Sequence, residues 1–262
     1  MFALERQKRI LELLSEQGAV WVSRLSGELG VTEETVRRDL EKLESQEMLM
    51  RTHGGAVPID DSTYEMSLEK RKSTNVDIKM SLAKEAVKHI SPGDTIFLDA
   101  STTTFYMSKE LKKMKNVTII TNSIRIVNEL AGQDSVRVIS VGGIVSNNQS
   151  FIGSLAESNI QENYFASKMF FSSKGLTKDA GILESNEQEC GIKQQMLANC
   201  KQRYYLCDKS KIGRIGFVKL APLSNIHHII TEAVLDEKWQ RKLEELNVSV
   251  IKVDAPTQEN VQ

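Results

Sequence analysis

Val20 to Asp39, VWVSRLSGELGVTEETVRRD, is the stretch that most narrows what the amino-terminal part of the chain can become. Val22, Leu25 and Leu29 recur at spacings of three and four, so one face of a short helix is apolar. Gly30 follows at once, where a helix stop favours a residue that tolerates positive φ. Thr32 can then cap a second helix, and Glu33 and Glu34 suit the positive end of its dipole. Val36, Leu40 and Leu43 make that helix's buried face, while Thr35, Arg37, Arg38 and Lys42 project elsewhere. An arginine-bearing face on the second helix of a helix-turn-helix is the face that enters a DNA major groove, because a guanidinium fork pairs with two acceptors at once. The bland alternative is a helical pair with solvated arginines.

Apolar residues at Met48–Met50 and Ala56–Val57 flank Arg51, Thr52, His53, Gly54 and Gly55, and a Gly-Gly pair suits a hairpin turn with positive φ. A basic hairpin after a recognition helix is a wing, which runs along the phosphate backbone. Residues 1–57 nevertheless carry eight Lys/Arg against ten Asp/Glu, a net of −2. DNA binding therefore requires the positive charge to be segregated onto one face.

Arg6-x3-Ile10, TEETVRRDL (Thr32–Leu40) and RTHGGAV (Arg51–Val57) together resemble the signature of the DeoR family, bacterial transcriptional repressors that respond to sugar metabolites. The resemblance implies that Thr32, Thr35, Arg37, Arg38, Lys42, Arg51, Thr52, His53 and Gly54 face double-stranded operator DNA.

The 262 residues suggest two domains, here 1–57 and 75–255 with a linker over 58–74. A formal charge of −1 and a pI near 6.5 fit a soluble cytoplasmic protein. No stretch approaches the ~18 apolar residues of a membrane span. Leu4–Ser15 reads as an amphipathic helix and not as a signal peptide. Three cysteines, Cys190, Cys200 and Cys207, form no CxxC, so neither a disulfide scaffold, a metal nor another cofactor is expected.

Beyond the proline-led Pro58–Thr63, the segment Tyr64–Ile90 is helix-compatible, with a stripe at Met80, Ala83, Val87 and Ile90. Strands are then expected at Thr95–Leu98, Val117–Thr121, Val136–Val141, Lys168–Phe171, Arg203–Cys207, Ile229–Thr231 and Val248–Val253. Helices are expected at Thr103–Lys113, Ile124–Ala131 and Glu237–Leu246, with two more opened by capping boxes at Ser154-x-x-Glu157 and Ser185-x-x-Gln188. Alternating strands and helices make an α/β domain with a largely parallel sheet.

Such sheets bind ligands beyond the carboxyl ends of their strands. Small polar residues collect at those ends: Asp99 with Ser101, Thr102, Thr103 and Thr104; Thr121, Asn122 and Ser123; Gly142 and Gly143; Ser172–Gly175; and Asp208–Lys211. A Ser/Thr run at a helix mouth offers hydroxyls beside free amides, which suits a phosphate; ordinary N-capping is the alternative. Asp99 suits a sugar hydroxyl, and Lys193 and Lys211 suit a phosphate, unless they are surface charges.

DASTTTF, ITNS, the Gly-Gly pair, NEQECGIKQQM and CDKSKIG extend the DeoR resemblance to about Glu232. The family's sensor domain resembles ribose-5-phosphate isomerase in fold and takes phosphorylated sugars. The resemblance therefore implies that Asp99, Ser101–Thr104, Thr121–Ser123, Gly142, Gly143, Lys193 and Lys211 contact the effector. Ser101 stands where the family commonly has Gly, and SSKG replaces the usual G-A-x-G after the fourth strand. Related isomerases carry acids near that point. Their absence from Ser172–Lys174 argues for sensing without turnover.

The reading is a two-domain regulator whose operator affinity follows a bound sugar phosphate, assembled as a dimer or tetramer to reach paired half-sites. The rival is a sugar-phosphate isomerase-like enzyme with an accessory helical domain, which leaves the wing unexplained. A winged helix that binds protein and not DNA is a third reading.

Overall fold

The computed structural model describes residues 2–58 and 66–254, which fall into two compact units, residues 1–66 and 67–262. Most of Pro58–Thr63, together with Tyr64 and the last expected sensor residue, Ala255, lies outside the described residues.

In the first unit, α1 (Ala3–Gln17), β1 (Val20–Trp21), α2 (Val22–Leu29), α3 (Glu33–Ser45), β2 (Met50–Thr52) and β3 (Gly55–Val57) follow in order. Ile10, Leu13 and Leu14 of α1 meet Val22, Leu25 and Leu29 of α2 and Val36, Leu40 and Leu43 of α3 in one core. Gly30 ends α2 at φ 64°, and the Thr32 side chain accepts from the Thr35 amide at 3.3 Å to start α3. A buried polar tie fixes the pose of α3: the Asp39 carboxylate accepts from Arg6 Nε at 2.6 Å and from Gln7 Nε2 at 3.0 Å. The wing is a three-stranded antiparallel sheet in the order β1-β3-β2. Neither Gly54 nor Gly55 adopts a positive φ, and Gly55 is constrained by size. A Cβ on Gly55 would lie 1.8 Å from the Val20 carbonyl oxygen.

The second unit opens with α4 (Leu68–Ser73) and α5 (Val76–Val87), divided by Asn75 at φ 52°. The sequence placed α4 in a linker because its run of charges hides a single buried contact, Leu68. Of the expected stripe, Ala83 and Ile90 are buried and Val87 half-buried, but Met80 is exposed; Leu82 and Ala86 join the inward face. Then come β4 (Thr95–Leu98), α6 (Thr102–Leu111), β5 (Val117–Thr121), α7 (Ile124–Leu130), β6 (Val136–Ser140), β7 (Ile144–Val145), β8 (Phe151–Ile152) and α8 (Ser154–Asn163). After these lie β9 (Ala166–Phe171), β10 (Gly175–Thr177), β11 (Gly181–Glu184), α9 (Glu187–Ala198) and β12 (Cys200–Leu206). The described chain closes with β13 (Val218–Ala221), β14 (His228–Thr231), α10 (Glu237–Glu245) and β15 (Ser249–Lys252).

Seven of these strands form one parallel sheet in the order β15-β14-β12-β9-β4-β5-β6. Successive side chains alternate between its faces, as the pleat requires. Ile96, Leu98, Phe170 and Leu206 pack with α5, α6 and α7, while Phe97, Phe171 and Tyr205 pack with α8, α9 and α10. The winding runs outward from β4 in one direction and then returns to start at β9 on its other side. The β4–β9 boundary is therefore the switch point, beside whose carboxyl ends open α/β sheets bind their ligands.

Two helix starts differ from expectation. Gly153, not a Ser154 capping box, precedes α8, and Asn186, not Ser185, caps α9 by accepting from the amides of Gln188 and Glu189. An antiparallel side sheet, β10-β11-β13, was not foreseen.

Candidate DNA-facing surface and effector site

On the first unit Arg37, Arg38 and Lys42 of α3 are exposed, as are Arg51, Thr52, His53 and Gly54 of the wing and the cap Thr32; Thr35 is half-buried. The arginines are held by neighbouring acids: Arg37 to Glu33 at 2.7 Å, Arg38 to Glu34 at 3.3 Å and Arg51 to Glu44 at 3.8 Å. Exposed i,i+4 pairs are worth only about 0.3–0.5 kcal/mol each. A guanidinium paired with a base edge gives about 1–3 kcal/mol, more than such a pair holds.

On the second unit the switch point is filled by a charged network. Asp99, directly after β4, is fully buried. Its Oδ1 accepts from the Ser101 amide at 3.3 Å and the Thr104 hydroxyl at 2.8 Å, and its Oδ2 from the Ser172 amide at 3.2 Å. Lys193 on α9 reaches Asp99 Oδ2 at 2.9 Å, the Ser172 carbonyl at 2.7 Å and Glu184. Burial pulls the Lys193 pKa down, but Asp99 and Glu184 outweigh it and the ammonium is held well above its ordinary range. Asp99 and Lys193, expected as ligand contacts, have their hydrogen-bonding capacity committed to the fold. They stitch β4, β9, β11 and α9 together.

The expectation that no carboxylate stands near Ser172–Lys174 is corrected here. Asp99 touches Ser172, and Glu184 reaches it through Lys193, both from distant parts of the chain. Nearby, Glu189 accepts from Ser150 and at 3.4 Å from Ser146; burial raises its pKa, against the Ser150 hydrogen bond. Asn122 donates to the Phe151 carbonyl at 3.3 Å and to Glu189 at 3.5 Å, and its Oδ1 is buried without a partner.

The Ser/Thr run divides in two. Ser101 caps α6 and Thr104 is engaged by Ser101 and Asp99, so both serve the fold. Thr102 and Thr103 are buried too, yet neither hydroxyl makes a hydrogen bond among the described residues. Thr121 accepts from the Ser123 amide at 3.0 Å, and Ser123 caps α7. Gly142 and Gly143 have φ of 68° and 120°, and a Cβ on Gly143 would lie 2.7 Å from the Ile152 carbonyl oxygen.

Cations that sequence reasoning passed over complete the picture. Arg125 on α7 is 8 % exposed. Its Nη2 donates to the carbonyls of Ala100 and Ser101, and its guanidinium lies 4.9 Å from the Phe105 ring centroid, but Nε and Nη1 are buried without partners. Lys79 on α5 donates to the carbonyls of Arg71 and Thr74. Burial, and then the charge of Lys211, bring its pKa down to about 8, with Arg71 and Arg125 adding to the effect and Asp208 opposing it. Lys211, which the sequence did single out for a phosphate, is half-buried and is likewise lowered, first by burial. Arg125 was in view only as the residue after Ser123-Ile124. A basic residue two positions after a strand-end cap, in the first turn of a helix, is the signal that could have found it.

The family model for the DeoR C terminal sensor domain matches residues 74–233, and that for the DeoR-like helix-turn-helix domain matches residues 6–62. The chain is 41 % identical over 254 residues to the uncharacterized HTH-type transcriptional regulator YulB of Bacillus subtilis, covering 97 % of this chain and 98 % of that one. It is 35 % identical to the lactose phosphotransferase system repressor of Streptococcus mutans, covering 90 % and 95 %. Among solved structures it is similar to ribose 5-phosphate isomerase A of Methanocaldococcus jannaschii, with a TM-score of 0.39 and 18 % identity over 53 % of this chain and 55 % of that one. With a helix-turn-helix unit, a parallel-sheet sensor unit and relatives alike over nearly its whole length, the chain belongs to the DeoR family of transcriptional regulators.

Proposed function

We propose that the protein binds operator DNA through α3 and the wing, and that a phosphorylated sugar bound at the β4–β9 switch point changes that affinity. The observation that carries the second half is the pairing of unclaimed donors with an unclaimed acceptor. Arg125 Nε and Nη1, buried without partners, offer donors to a phosphate, and the hydroxyls of Thr102 and Thr103 lie beside them at the start of α6. Asn122 Oδ1, also buried without a partner, offers an acceptor to a sugar hydroxyl. Buried polar groups without partners cost about 1–3 kcal/mol each, so a ligand that satisfies Arg125 and Asn122 gains affinity.

Repression relieved by the effector is the direction we propose, in keeping with the S. mutans relative's name. A dimer or tetramer, cytoplasmic, would present paired recognition helices to two half-sites. Among the described residues no helix is long and apolar enough to cross a membrane. We propose binding without turnover: the carboxylates Asp99 and Glu184 are locked to Lys193 and not free to accept a substrate proton.

The DNA half is tested on Arg38, which is exposed and held only by Glu34 among the ion pairs of α3. Arg38→Ala is expected to weaken operator binding by about 1–3 kcal/mol and relax specificity at one base pair. Fluorescence anisotropy against a set of single-base operator variants checks this; an unaltered affinity profile would place Arg38 in solvent.

The sensor half predicts a pH dependence. In the free protein Lys79 loses its proton as pH rises through about 8. Lys211, Arg71, Arg125 and Asp208 face it, and Lys211 is itself lowered. An anion favours the protonated amines, so its affinity should fall several-fold between about pH 7 and about pH 9, a range in which a phosphate monoester keeps its charge. Lys79→Arg, which stays charged, should flatten much of that fall in a calorimetric titration.

A further inference from the structure

The cations around the α6 start do not all come from the sheet. Arg125 belongs to α7, but Arg71 belongs to α4, the first helix after the segment that leaves the DNA-binding unit. Three contacts bring α4 to the crevice. It packs against α6. Arg71 Nη2 donates to Asn148 Oδ1 at 2.5 Å, in the β7–β8 turn. That turn joins β5's end through the Phe151 amide, which donates to the Asn122 carbonyl at 2.7 Å, and through the Ser123–Ser150 bridge. The Arg71 carbonyl, in turn, is held by Lys79.

Hydrogen bonding leaves this arrangement incomplete. Burial first, and then Arg71, disfavour the charged form of Arg125, while Asp99 and Glu69 favour it. Arg125 still has two buried N–H groups, Nε and Nη1, without partners. A phosphate seated against Thr102 and Thr103 would meet them.

Resting on the sugar-phosphate reading above, we propose that the phosphate group of the effector is shared between Arg125 and Arg71, so that binding fastens α4 to the sensor sheet. The anion then acts as a clasp on the helix through which the chain enters the sensor. Regulation follows from that attachment: the ligand's differential affinity for the fastened and unfastened α4 sets how far it can shift the DNA-binding unit.

The test uses the full-length protein and measures amide hydrogen exchange over residues 67–79. Inorganic phosphate and a panel of pentose and hexose phosphates are each added at fixed ionic strength, with sulfate-free chloride buffer as the blank. Bound phosphate should slow exchange in residues 67–79 at least about tenfold. Arg71→Gln should retain anion binding, weakened about tenfold, and lose the protection. Arg125→Lys should weaken binding while keeping whatever protection remains at saturation. Circular dichroism melts of each variant confirm that the fold persists.

Protection by inorganic phosphate with no sugar phosphate altering operator affinity would uphold the clasp and overturn the sugar-phosphate reading. Release of the operator by a sugar phosphate, with exchange in residues 67–79 unchanged and Arg71→Gln responding like the parent, would overturn the clasp and leave that reading intact. Absence of any phosphate binding at concentrations that saturate ordinary phosphate sites would overturn it as well.

Discussion

Lys193→Met is expected to destabilise the sensor unit by about 3–5 kcal/mol, the cost of breaking a buried ion pair from one side. The reason is geometric. Lys193 is 5 % exposed and its ammonium sits between Asp99, 2.9 Å away, and Glu184. Remove it and two carboxylates remain in a site that water does not reach. They must then take up protons or let the strands part. A denaturant melt followed by far-ultraviolet circular dichroism should show the sensor transition moving to lower denaturant while the DNA-binding unit's core, built from separate residues, is unaffected. Adding Glu184→Gln to the same chain should restore part of the loss, because one of the stranded charges is gone. A shift under about 1 kcal/mol would mean the network is solvated and behaves as an exposed pair.

The double change Thr102→Val and Thr103→Val should do the opposite: leave stability and operator affinity nearly alone and abolish the effector response. Valine keeps the β-branched shape that α6 already accommodates. The two hydroxyls have no partner among the described residues, so the free protein loses no hydrogen bond there. A bound phosphate loses two. At about 1.5–3 kcal/mol for each hydrogen bond to a charged group, affinity should fall at least a hundredfold. Titrating the effector against a fixed protein–operator complex reads this directly. An undiminished response would move the ligand away from the start of α6.

The two predictions separate residues that the sequence placed in one list. Asp99, Ser101, Thr104 and Lys193 are engaged with the fold; Thr102 and Thr103 keep their hydroxyls unengaged. The positions of Asp99–Thr104 were legible in the sequence because strand-end residues in a parallel sheet converge whatever their role. Their roles were not, because a cap and a ligand contact use the same Ser and Thr side chains.

The helix-turn-helix was legible for a different reason. Val22, Leu25 and Leu29, then Val36, Leu40 and Leu43, repeat at the helical period, and local periodicity survives into the fold. Partners far apart in sequence left no such trace. Arg71 and Asn148 are 77 positions apart, and Asp99 and Ser172 are 73. Nothing in the sequence singles out Lys79 or Arg125, since lysine and arginine are seldom buried, and only the folded chain shows both enclosed. The side sheet β10-β11-β13 escaped notice because its strands are three or four residues long and broken by Lys178 and Asp179.

Gly55 shows how a correct expectation can rest on the wrong cause. The Gly-Gly pair does mark the wing, but its backbone angles are ordinary. What the wing needs is the absence of a Cβ where β3 passes β1.

The central claim is that one chain joins operator binding to a phosphate-sensing crevice. A gel shift on the DNA just upstream of this protein's own gene, repeated with a panel of sugar phosphates, tests it most directly. The account predicts specific, strongly salt-dependent binding that one phosphorylated sugar alters and its unphosphorylated counterpart does not. No specific binding at moderate salt, with turnover of a pentose or hexose phosphate by the same preparation, would contradict it and establish the enzyme reading instead.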